Sequence, residues 1–517
     1  MMQTWTVPQV DEAALHRLAE HIALRLRTGD TLSLTGDLGA GKTTFARALI
    51  RALLDDTGAE VPSPTFSIVQ TYDTPRLLVA HLDLYRLTHE EETAELGLED
   101  LRAKGALMVE WAERAPSVLG PDHLDITLIE SAGGAARDVT FTARGSWVPR
   151  LQRTAALHAF LESLPQWREA TIRYLQGDAS ARAYARVATD GATALVMDWP
   201  RQPDGPPIRN GLPYSRIAHL AEDVRAFVAV DDVLRKHGFA APEILAADLD
   251  NGFLVLEHLG ERVFGREVAA GQPMLPMWQA ATDVLVDMRA LSGEAFSRLP
   301  IGFGSTETHA VPPYDEGALM IETELVPDWY WPMIKGAPAS EVVRRTFAAH
   351  WAPLVATVLA AAPVLVLRDY HSPNLLMLDG RAGKASVGLI DFQDAMLGHP
   401  AYDLVSLLQD ARLDVPETIE SRLLDHYCAA VSRREPGFDA AAFRTAYAIL
   451  GAQRNTKILG IFARLAKRDG KTQYLAHIPR IWRYLERNLA HPGLIGLRGW
   501  YDEHFPAARR LDAPSHT

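Results

Sequence analysis

The chain is almost free of cysteine: Cys428 is the only one among 517 residues. A single cysteine excludes an intramolecular disulfide and any zinc site built from several thiolates, and it is typical of a reducing compartment. Long apolar segments are also missing, because the longest apolar run, Leu354 to Leu367, is interrupted by Pro363 and is too short to span a bilayer. The first residues contain no apolar core of a secretory signal. We therefore expect a soluble cytoplasmic protein with no membrane segment.

Basic residues are in deficit as well. The 52 lysines and arginines are outnumbered by 65 aspartates and glutamates, which gives a formal net charge of −13. Such a chain is not expected to coat nucleic acid non-specifically, because affinity for phosphate backbones depends on clustered positive charge. Hydrophobic residues make up 48% and charged residues 23%, as in ordinary globular proteins. At roughly 100 to 200 residues per domain, the length predicts two to four domains.

The pattern of apolar residues divides the chain into an N-terminal part, residues 1–148, and a C-terminal part, residues 151–510. In the N-terminal part short apolar strands alternate with amphipathic helices, an order that predicts a three-layer α/β domain around a mostly parallel sheet. In the C-terminal part a strand-rich front precedes a helix-rich back, which predicts a bilobal α+β domain. Its first long helix is expected at Ile217 to His237, and the boundary between the two parts is placed in Gly145 to Arg150.

A glycine-rich motif lies between a predicted strand, Thr31 to Thr35, and a predicted helix that starts at Lys42. Gly36 to Thr43 fits the pattern G-x-x-x-x-G-K-[ST] of a phosphate-binding loop. The glycines allow backbone N–H groups to surround phosphate oxygens, and the helix N-terminus adds partial positive charge. Lys42 would reach the β- and γ-phosphates of ATP, and the Thr43 hydroxyl would bind Mg²⁺. The predicted nucleotide contacts are Gly36, Gly39, Ala40, Gly41, Lys42, Thr43 and Thr44.

A nucleoside triphosphatase of this kind also needs acidic groups that face the metal ion and the attacking water. Asp83 and Glu110 each follow an apolar run, which places them at the carboxyl edge of the sheet, beside the phosphate loop. Either residue, taken alone, could instead be a solvated acid at a strand end.

With these motifs the N-terminal part resembles the TsaE-type ATPases of bacterial tRNA threonylcarbamoyladenosine biosynthesis. The similarity rests on five segments in this order: GDLGAGKTTFARAL, SPTFSIVQTY, HLDLYRL, ELGLED and VEWAER. The resemblance implies that Lys42 binds phosphate and that Thr43 and Glu110 hold Mg²⁺. It also implies that ATP hydrolysis requires Asp83.

The same resemblance implies a switch-like loop at Ser63 to Phe66 and a role for Trp111 in stacking near the nucleotide or a partner surface. An ATPase of this type does not itself modify tRNA. Its ATP turnover supports the TsaB–TsaD complex, which transfers the threonylcarbamoyl group to adenosine. A partner protein complex is therefore expected, and direct nucleic-acid binding is not.

The C-terminal part contains Asp369 and Asn374 in the spacing D-x-x-x-x-N, and a later apolar strand ends in Asp391. Kinases need such a trio, because one aspartate accepts the proton of the substrate hydroxyl while an asparagine and a second aspartate hold Mg²⁺ against the phosphates of ATP. The spacing alone is common, but its position after one apolar strand and before another favours catalysis. We assign Asp369 as the catalytic residue and Asn374 and Asp391 as magnesium ligands.

A candidate nucleotide-covering loop, Gln176 to Arg182, lies between two predicted strands at the front of the C-terminal part. Ser180 and Arg182 are its candidate contacts to ATP, although an ordinary hairpin turn explains the loop equally well. Glu257 ends an apolar strand at the place where a lobe-linking hinge would offer backbone groups to adenine.

The C-terminal part resembles the aminoglycoside-phosphotransferase-like kinases, and among them the AmgK-type anomeric N-acetylmuramate/N-acetylglucosamine kinases of peptidoglycan recycling. The similarity rests on GDASARAYARV, ALVMDWP, ELVPDWY, RDYHSPNLL, LIDFQDAMLGHPAYDLVSLLQD and GAQRNTKILGIFARLAKRDGKTQYLAHIPR. It implies a bilobal protein-kinase-like fold and ATP-dependent phosphorylation of the anomeric hydroxyl of an amino sugar.

Two positions depart from the wider kinase superfamily. The third strand reads Val196 to Asp198 where most members have a phosphate-pairing lysine, and Arg182 or Arg186 is the candidate substitute. Leu367 stands where many kinases have a histidine that braces the catalytic loop, so here bracing by this residue could come only from packing.

Candidate substrate contacts are fewer. Arg454 and Lys457 lie on the polar face of an otherwise apolar helix, and Glu324 precedes an aromatic segment. Each is a candidate sugar ligand or, alternatively, a member of a structural ion pair.

The sequence thus predicts a fused, bifunctional protein: a three-layer α/β P-loop ATPase followed by a bilobal kinase, with separate sites for ATP and Mg²⁺. Two alternatives stay open for the kinase. It acts on another small alcohol, such as an aminoglycoside, choline or homoserine, or it is a catalytically silent scaffold that regulates the ATPase.

Overall fold

The computed structural model describes residues 2–131, 136–175 and 182–510. The chain forms two compact units. The first comprises Met1–Pro200 and Leu245–His258, and the second comprises Arg201–Ile244 and Leu259–Thr517. Within the described ranges, no helix is both long enough and apolar enough to cross a bilayer.

The strands, in chain order, are β1 Met2–Val10, β2 Thr31–Thr35, β3 Val69–Asp73, β4 Leu78–Asp83, β5 Gly105–Glu110, β6 Leu124–Glu130, β7 Arg137–Arg144, β8 Thr171–Leu175, β9 Ala183–Thr189, β10 Ala192–Asp198, β11 Pro207–Arg209, β12 Leu212–Pro213, β13 Ile244–Asp248, β14 Phe253–Glu257, β15 Leu299–Pro300, β16 Thr308–His309, β17 Val364–Val366, β18 Leu375–Met377, β19 Val387–Leu389 and β20 Met396–Gly398. The α-helices are α1 Glu12–Ala23, α2 Lys42–Leu54, α3 Leu98–Lys104, α4 Trp147–Glu162, α5 Tyr214–Ile217, α6 Val224–Lys236, α7 Phe264–Ala269, α8 Met274–Met288, α9 Glu316–Thr323, α10 Trp331–Lys335, α11 Glu341–Leu359, α12 Ala401–Leu408, α13 Glu417–Arg434, α14 Ala440–Asp469, α15 Ile478–Leu489 and α16 Ile495–His504.

A seven-stranded sheet with the order β1-β7-β6-β2-β5-β4-β3 forms the centre of the N-terminal part. Its central strands β6, β2, β5 and β4 run parallel, and the outer strands pair antiparallel. Strand β5 is buried along its whole length, since Met108 faces the core cluster that includes α1 and α2, and Leu107 faces the cluster that includes α3. Strands covered on both faces need apolar residues at successive positions. The predicted three-layer α/β fold is confirmed.

The segment predicted as a boundary, Gly145 to Arg150, is not an open linker. Helix α4 begins within it, and Trp147 is fully buried in the core cluster of the N-terminal sheet. Further along the same helix, Leu157 and Phe160 pack in a second cluster with residues of the next sheet. One helix thus joins two cores because its apolar residues face a different partner at each end. The division of the chain near residue 150 into two domains stays a prediction.

The strand-rich front of the C-terminal part is a five-stranded sheet with the order β13-β14-β10-β9-β8. Its apolar face packs on α4, where the rings of Phe160 and Phe253 stack with centroids 5.9 Å apart. We call this sheet the strand lobe. It belongs to the first compact unit, together with the N-terminal sheet.

The second unit is mainly helical, as predicted, with the 30-residue α14 largely buried. The predicted helix at Ile217 to His237 is wrong in its first third. Helix α5 ends at Ile217, His219 has a positive φ of 50°, and α6 begins only after Asp223. The Asp223 side chain accepts a hydrogen bond from the Arg225 amide at 2.9 Å and so caps the new helix.

A pair of histidines makes the first unit sensitive to acid. His21 on α1 and His158 on α4 are in edge-to-face contact, with ring centroids 5.3 Å apart. Burial, together with the charges of His158, Arg25 and Arg17, lowers the pKa of His21 to about 3, and burial also lowers that of His158. The neutral rings are therefore favoured in the folded state. The stability that they provide is complete above the ordinary histidine pKa near 6.5 and is lost as the pH falls towards 3.

His21→Phe keeps a ring at this position but cannot take up a proton. Between pH 6.5 and pH 5 we expect the free energy of unfolding to fall by about 2 kcal/mol more in the wild type than in this variant. The comparison is made by thermal unfolding of both proteins across this pH range. The control is His16→Phe, because His16 lies on the same helix but is part-exposed. Equal pH dependence of the wild type and His21→Phe would contradict the prediction.

Candidate functional site

The phosphate loop connects the central strand β2 to helix α2. Gly36 and Gly39 have φ values of 145° and 86°, which side-chain-bearing residues rarely adopt. A Cβ atom on Gly36 would lie 2.4 Å from the carbonyl oxygen of Leu128, so a larger residue does not fit there. At Gly39 no atom lies within 4 Å of the corresponding position. The loop thus packs closely on the sheet at Gly36 and is open at Gly39.

Lys42 is held directly over this loop. Its Nζ donates to the carbonyl oxygens of Gly36 at 2.7 Å and Asp37 at 2.9 Å. The same atom lies 3.8 Å from the centre of the Trp111 ring, and burial lowers the pKa of Lys42. The lysine and the tryptophan predicted to meet the nucleotide therefore lie together. Ala40, Gly41 and Thr44 occupy the end of the loop and the first turn of α2.

Thr43 and Glu110, the two predicted magnesium ligands of the phosphate-loop part, are in contact. The Thr43 hydroxyl donates to both carboxylate oxygens of Glu110, at 2.8 and 3.0 Å. Nε2 of buried His81 lies 2.9 Å from Oε1 of Glu110, an oxygen that also accepts from Thr43, and so helps to fix the carboxylate. Hydroxyl and carboxylate oxygens are ligands that Mg²⁺ prefers, so the residues fit this ion.

Asp83 lies beside Glu110, since the two are register partners in the parallel strands β4 and β5. Its carboxylate accepts hydrogen bonds from the Thr65 hydroxyl at 2.7 Å and the Tyr85 amide at 3.0 Å. Thr65 belongs to the predicted switch-like loop Ser63 to Phe66, so this loop and the predicted hydrolytic residue are in direct contact. Phe66 in the same loop is 84% exposed.

Sequence reasoning missed His81. It stands two residues before Asp83 on β4, and residues i and i+2 of a strand lie on the same face. This alternation was a usable signal for a second polar side chain at the site.

A short hairpin brings two members of the kinase trio, Asn374 and Asp391, together. Strand β18 follows Asn374, β19 precedes Asp391, and the two strands pair antiparallel. This pairing places the Asn374 amide nitrogen 3.2 Å from Oδ2 of Asp391 and 3.0 Å from the backbone oxygen of Asp369. Carboxylate and amide groups form an oxygen-rich site that suits Mg²⁺.

The catalytic loop is braced by two aspartates of the segment that contains α12, which sequence reasoning did not single out. The carboxylate of Asp403 accepts the amides of Leu367 at 2.6 Å and Arg368 at 2.9 Å, and that of Asp410 accepts the amide of Ser372 at 2.8 Å. Burial raises the pKa of Asp403 to about 7, against the effect of its two amide donors. The loop thus has backbone hydrogen bonds in place of a bracing histidine.

The pKa of Asp369 is lowered although the residue is buried. Burial opposes the charge, but His371, Lys457 and Arg368 outweigh it and lower the pKa of Asp369. An ionised carboxylate at this place can accept a proton from a substrate hydroxyl.

The residues predicted to contact the substrate lie in two different environments. Lys457 forms an ion pair with Glu322 at 2.8 Å and lies 3.4 Å from the Tyr402 hydroxyl, and Arg454 donates to the backbone oxygen of Gln409 at 3.3 Å. Both cations act on Asp369 electrostatically. Glu324, by contrast, pairs with the partly exposed Arg209. Their role as sugar ligands stays a prediction.

The sequence analysis did not single out Glu322, which is completely buried in the structure. It pairs with Arg368 and Lys457 and accepts a hydrogen bond from Gln453 at 2.9 Å. Burial alone would raise its pKa, but the two cations lower it to about 2. The charge of Glu322 thus ties helix α14 to the residue that precedes Asp369.

The nucleotide-covering loop lies mostly outside the described residues, including Ser180. Arg182 is described at the start of β9, where its guanidinium lies 5.3 Å from the centre of the Trp199 ring. Arg186 lies on β9 opposite Leu195, and Glu257 ends β14 opposite Ala194. Their contacts to ATP stay predictions.

Comparison with known proteins separates the same two parts. Residues 9–139 match the family model of the threonylcarbamoyl adenosine biosynthesis protein TsaE, and residues 171–443 match that of the phosphotransferase enzyme family. The chain is 39% identical over 368 residues to an N-acetylmuramate/N-acetylglucosamine kinase of Caulobacter vibrioides, covering 69% of this chain and 98% of that protein. It is 39% identical over 130 residues to the tRNA threonylcarbamoyladenosine biosynthesis protein TsaE of Bacillus subtilis, covering 25% of this chain and 79% of that protein. A solved aminoglycoside 2'-phosphotransferase-IIIa in complex with GDP is 15% identical, with a TM-score of 0.42, and covers 65% of this chain and 99% of its own.

Proposed function

The chain belongs to the TsaE family through its N-terminal part and to the phosphotransferase enzyme family, with the N-acetylmuramate/N-acetylglucosamine kinases, through its C-terminal part, and from this we propose that one polypeptide carries two ATP-dependent activities. The C-terminal part phosphorylates N-acetylmuramate and N-acetylglucosamine at the anomeric hydroxyl. The N-terminal part hydrolyses ATP in support of threonylcarbamoylation of tRNA.

The observation that supports the kinase activity is that the Asn374 side chain contacts both the Asp391 carboxylate and the backbone oxygen of Asp369. Asp369 orients the anomeric hydroxyl and accepts its proton, so that the sugar oxygen can bond to phosphorus while ADP leaves. Asn374 and Asp391 would hold Mg²⁺. Magnesium-bound ATP supplies the γ-phosphoryl group, and the products are a sugar 1-phosphate and ADP.

In the ATPase, Lys42 would exchange its two carbonyl acceptors for phosphate oxygens. Thr43 and Glu110 would hold Mg²⁺, and Asp83 would position the water or the switch-like loop for hydrolysis. The partner is the TsaB–TsaD complex. The net charge of −13 agrees with a protein partner better than with direct contact to tRNA.

The kinase proposal is tested with the full chain, ATP and a panel of acceptors: N-acetylmuramate, N-acetylglucosamine, kanamycin, choline and homoserine. We expect phosphate transfer to the two amino sugars, and mass spectrometry of the product should place the phosphate on C1, with loss of the reducing end. Transfer to kanamycin, choline or homoserine, but not to the amino sugars, would reject the proposal.

A further inference from the structure

The N-terminal part of the chain does more than precede the kinase: it packs against the strand lobe. Both belong to one compact unit, although by sequence the strand lobe is part of the kinase. Helix α1 contacts β8, which is the edge strand of the strand lobe. The contact is formed by charged side chains that are buried there, and such residues are costly to bury unless they are paired.

Glu20 of α1 is the first of these residues. It is only 5% exposed, and its carboxylate accepts the backbone amide of Ile172 at 2.9 Å and pairs with the guanidinium of Arg173. Both partners lie on β8. The outer edge of a sheet presents unpaired N–H groups, and here a side chain of the other part of the protein satisfies one of them. Leu24, the C-cap residue of α1, packs against the core cluster of the strand lobe.

Asp198 is the second buried charged residue of this contact. It ends β10, is 6% exposed, and lies in the strand segment that lacks the lysine usual in kinases. Arg25, which follows α1, donates to its Oδ2 at 2.5 Å, and Arg153 of α4 donates to its Oδ1 at 2.8 Å. One strand end of the kinase is thus held by an arginine from the N-terminal part and by another from the connecting helix.

The same connecting helix is tied to the strand that leads into the phosphate loop. Arg150 lies one turn before Arg153 on α4 and donates to both carboxylate oxygens of Asp30, at 2.6 and 2.7 Å. Asp30 immediately precedes β2. Polar contacts therefore run from the start of β2, at the end away from the phosphate loop, through α4, to the end of β10.

The held elements are two strands of the strand lobe. Asp198 ends β10, in the segment that stands in place of the phosphate-pairing lysine of other kinases, and lies directly opposite Ala183, the first residue of β9. Glu20 fixes β8, and Arg25 fixes the end of β10. We propose that Glu20 and Arg25 are positioning residues for the sugar kinase: the TsaE-type part holds strands β8 and β10 of the lobe that binds ATP. The inference rests on the proposed kinase activity.

Arg25→Gln is expected to raise the KM for ATP in sugar phosphorylation about fivefold, with little change in kcat or in the KM for the sugar. Arg25→Lys, which keeps the charge, should restore most of the affinity. The matched control is Arg27→Gln, because Arg27 lies two residues away and is exposed. If Arg25→Gln has the same KM for ATP as the wild type, the inference is overturned. Equal changes in every kinetic constant would also overturn it, because a merely structural role would change them all. If Arg25→Gln does not fold, Glu20→Gln carries the same comparison.

A second measurement separates this inference from the proposed function. In a Lys42→Ala background, which disables the phosphate loop, nucleotide titration reports the kinase site alone. We expect Arg25→Gln to raise the Kd for ATP about fivefold in that background. A wild type that phosphorylates no sugar would reject the proposed function, yet the rise in Kd would still support the positioning role. An unchanged Kd would overturn the positioning role even if the sugar is phosphorylated.

Discussion

Asp369→Asn is expected to lower kcat for sugar phosphorylation by about 1,000-fold, because an amide cannot accept the proton of the anomeric hydroxyl. The substitution is nearly isosteric, and the loop around it keeps its bracing from Asp403 to the amides of Leu367 and Arg368. The loss should therefore appear in kcat, while the KM for ATP and the thermal stability change little. ATP turnover by the phosphate-loop part should persist.

The measurement is the initial rate of sugar 1-phosphate formation at saturating ATP. Asp379→Asn is the control, since Asp379 is an exposed aspartate of the same hairpin region and pairs only with Arg262 in the contacts described. Rates near zero in both wild type and Asp369→Asn would favour a silent scaffold. A rate unaffected by Asp369→Asn would mean that another group takes the proton.

The kinase trio could be predicted from sequence because its three residues lie within 23 positions and flank two apolar strands. Because those strands pair antiparallel, Asn374 and Asp391 must lie side by side. The residues that brace the loop are harder to find, because Glu322 and Asp403 come from helices that the local pattern cannot bring to the loop. Asp403 lies on α12 and Asp410 lies beyond its end, and the residues around each do not indicate that the loop is its partner.

The fold was predicted better than its boundaries. The first long helix of the C-terminal part was expected to start at Ile217 because the apolar spacing extends that far back. The structure starts it at Val224, since the Asp223 carboxylate offers the Arg225 amide a cap. Packing of the strand lobe on the N-terminal part was not predictable, because Glu20 and Asp198 are separated by many residues and each, taken alone, has the sequence context of a solvated acid.

The second large effect is expected at the phosphate loop. Lys42→Ala should abolish ATP binding by the N-terminal part and lower its ATP turnover, measured with TsaB and TsaD present, by at least about 100-fold. Lys42 is the cation held over the loop, and its removal leaves the γ-phosphate without a paired charge. The substitution also removes the two hydrogen bonds from Lys42 to the carbonyl oxygens of Gly36 and Asp37, so the thermal stability of the variant is measured beside its ATP turnover.

Sugar phosphorylation by Lys42→Ala should stay within about threefold of the wild type, because none of the contacts that hold the strand lobe passes through Lys42. Asp30, Arg25 and Glu20 contact their partners from the opposite end of β2 and from α1. Nucleotide titration of the intact protein with Mg²⁺ should therefore saturate at two equivalents of nucleotide in the wild type and at one in Lys42→Ala. The control is Lys104→Ala, because Lys104 is an exposed lysine of α3. Loss of both activities together would show that occupancy of the phosphate loop itself, and not only the folded N-terminal part, is needed to position the kinase strands.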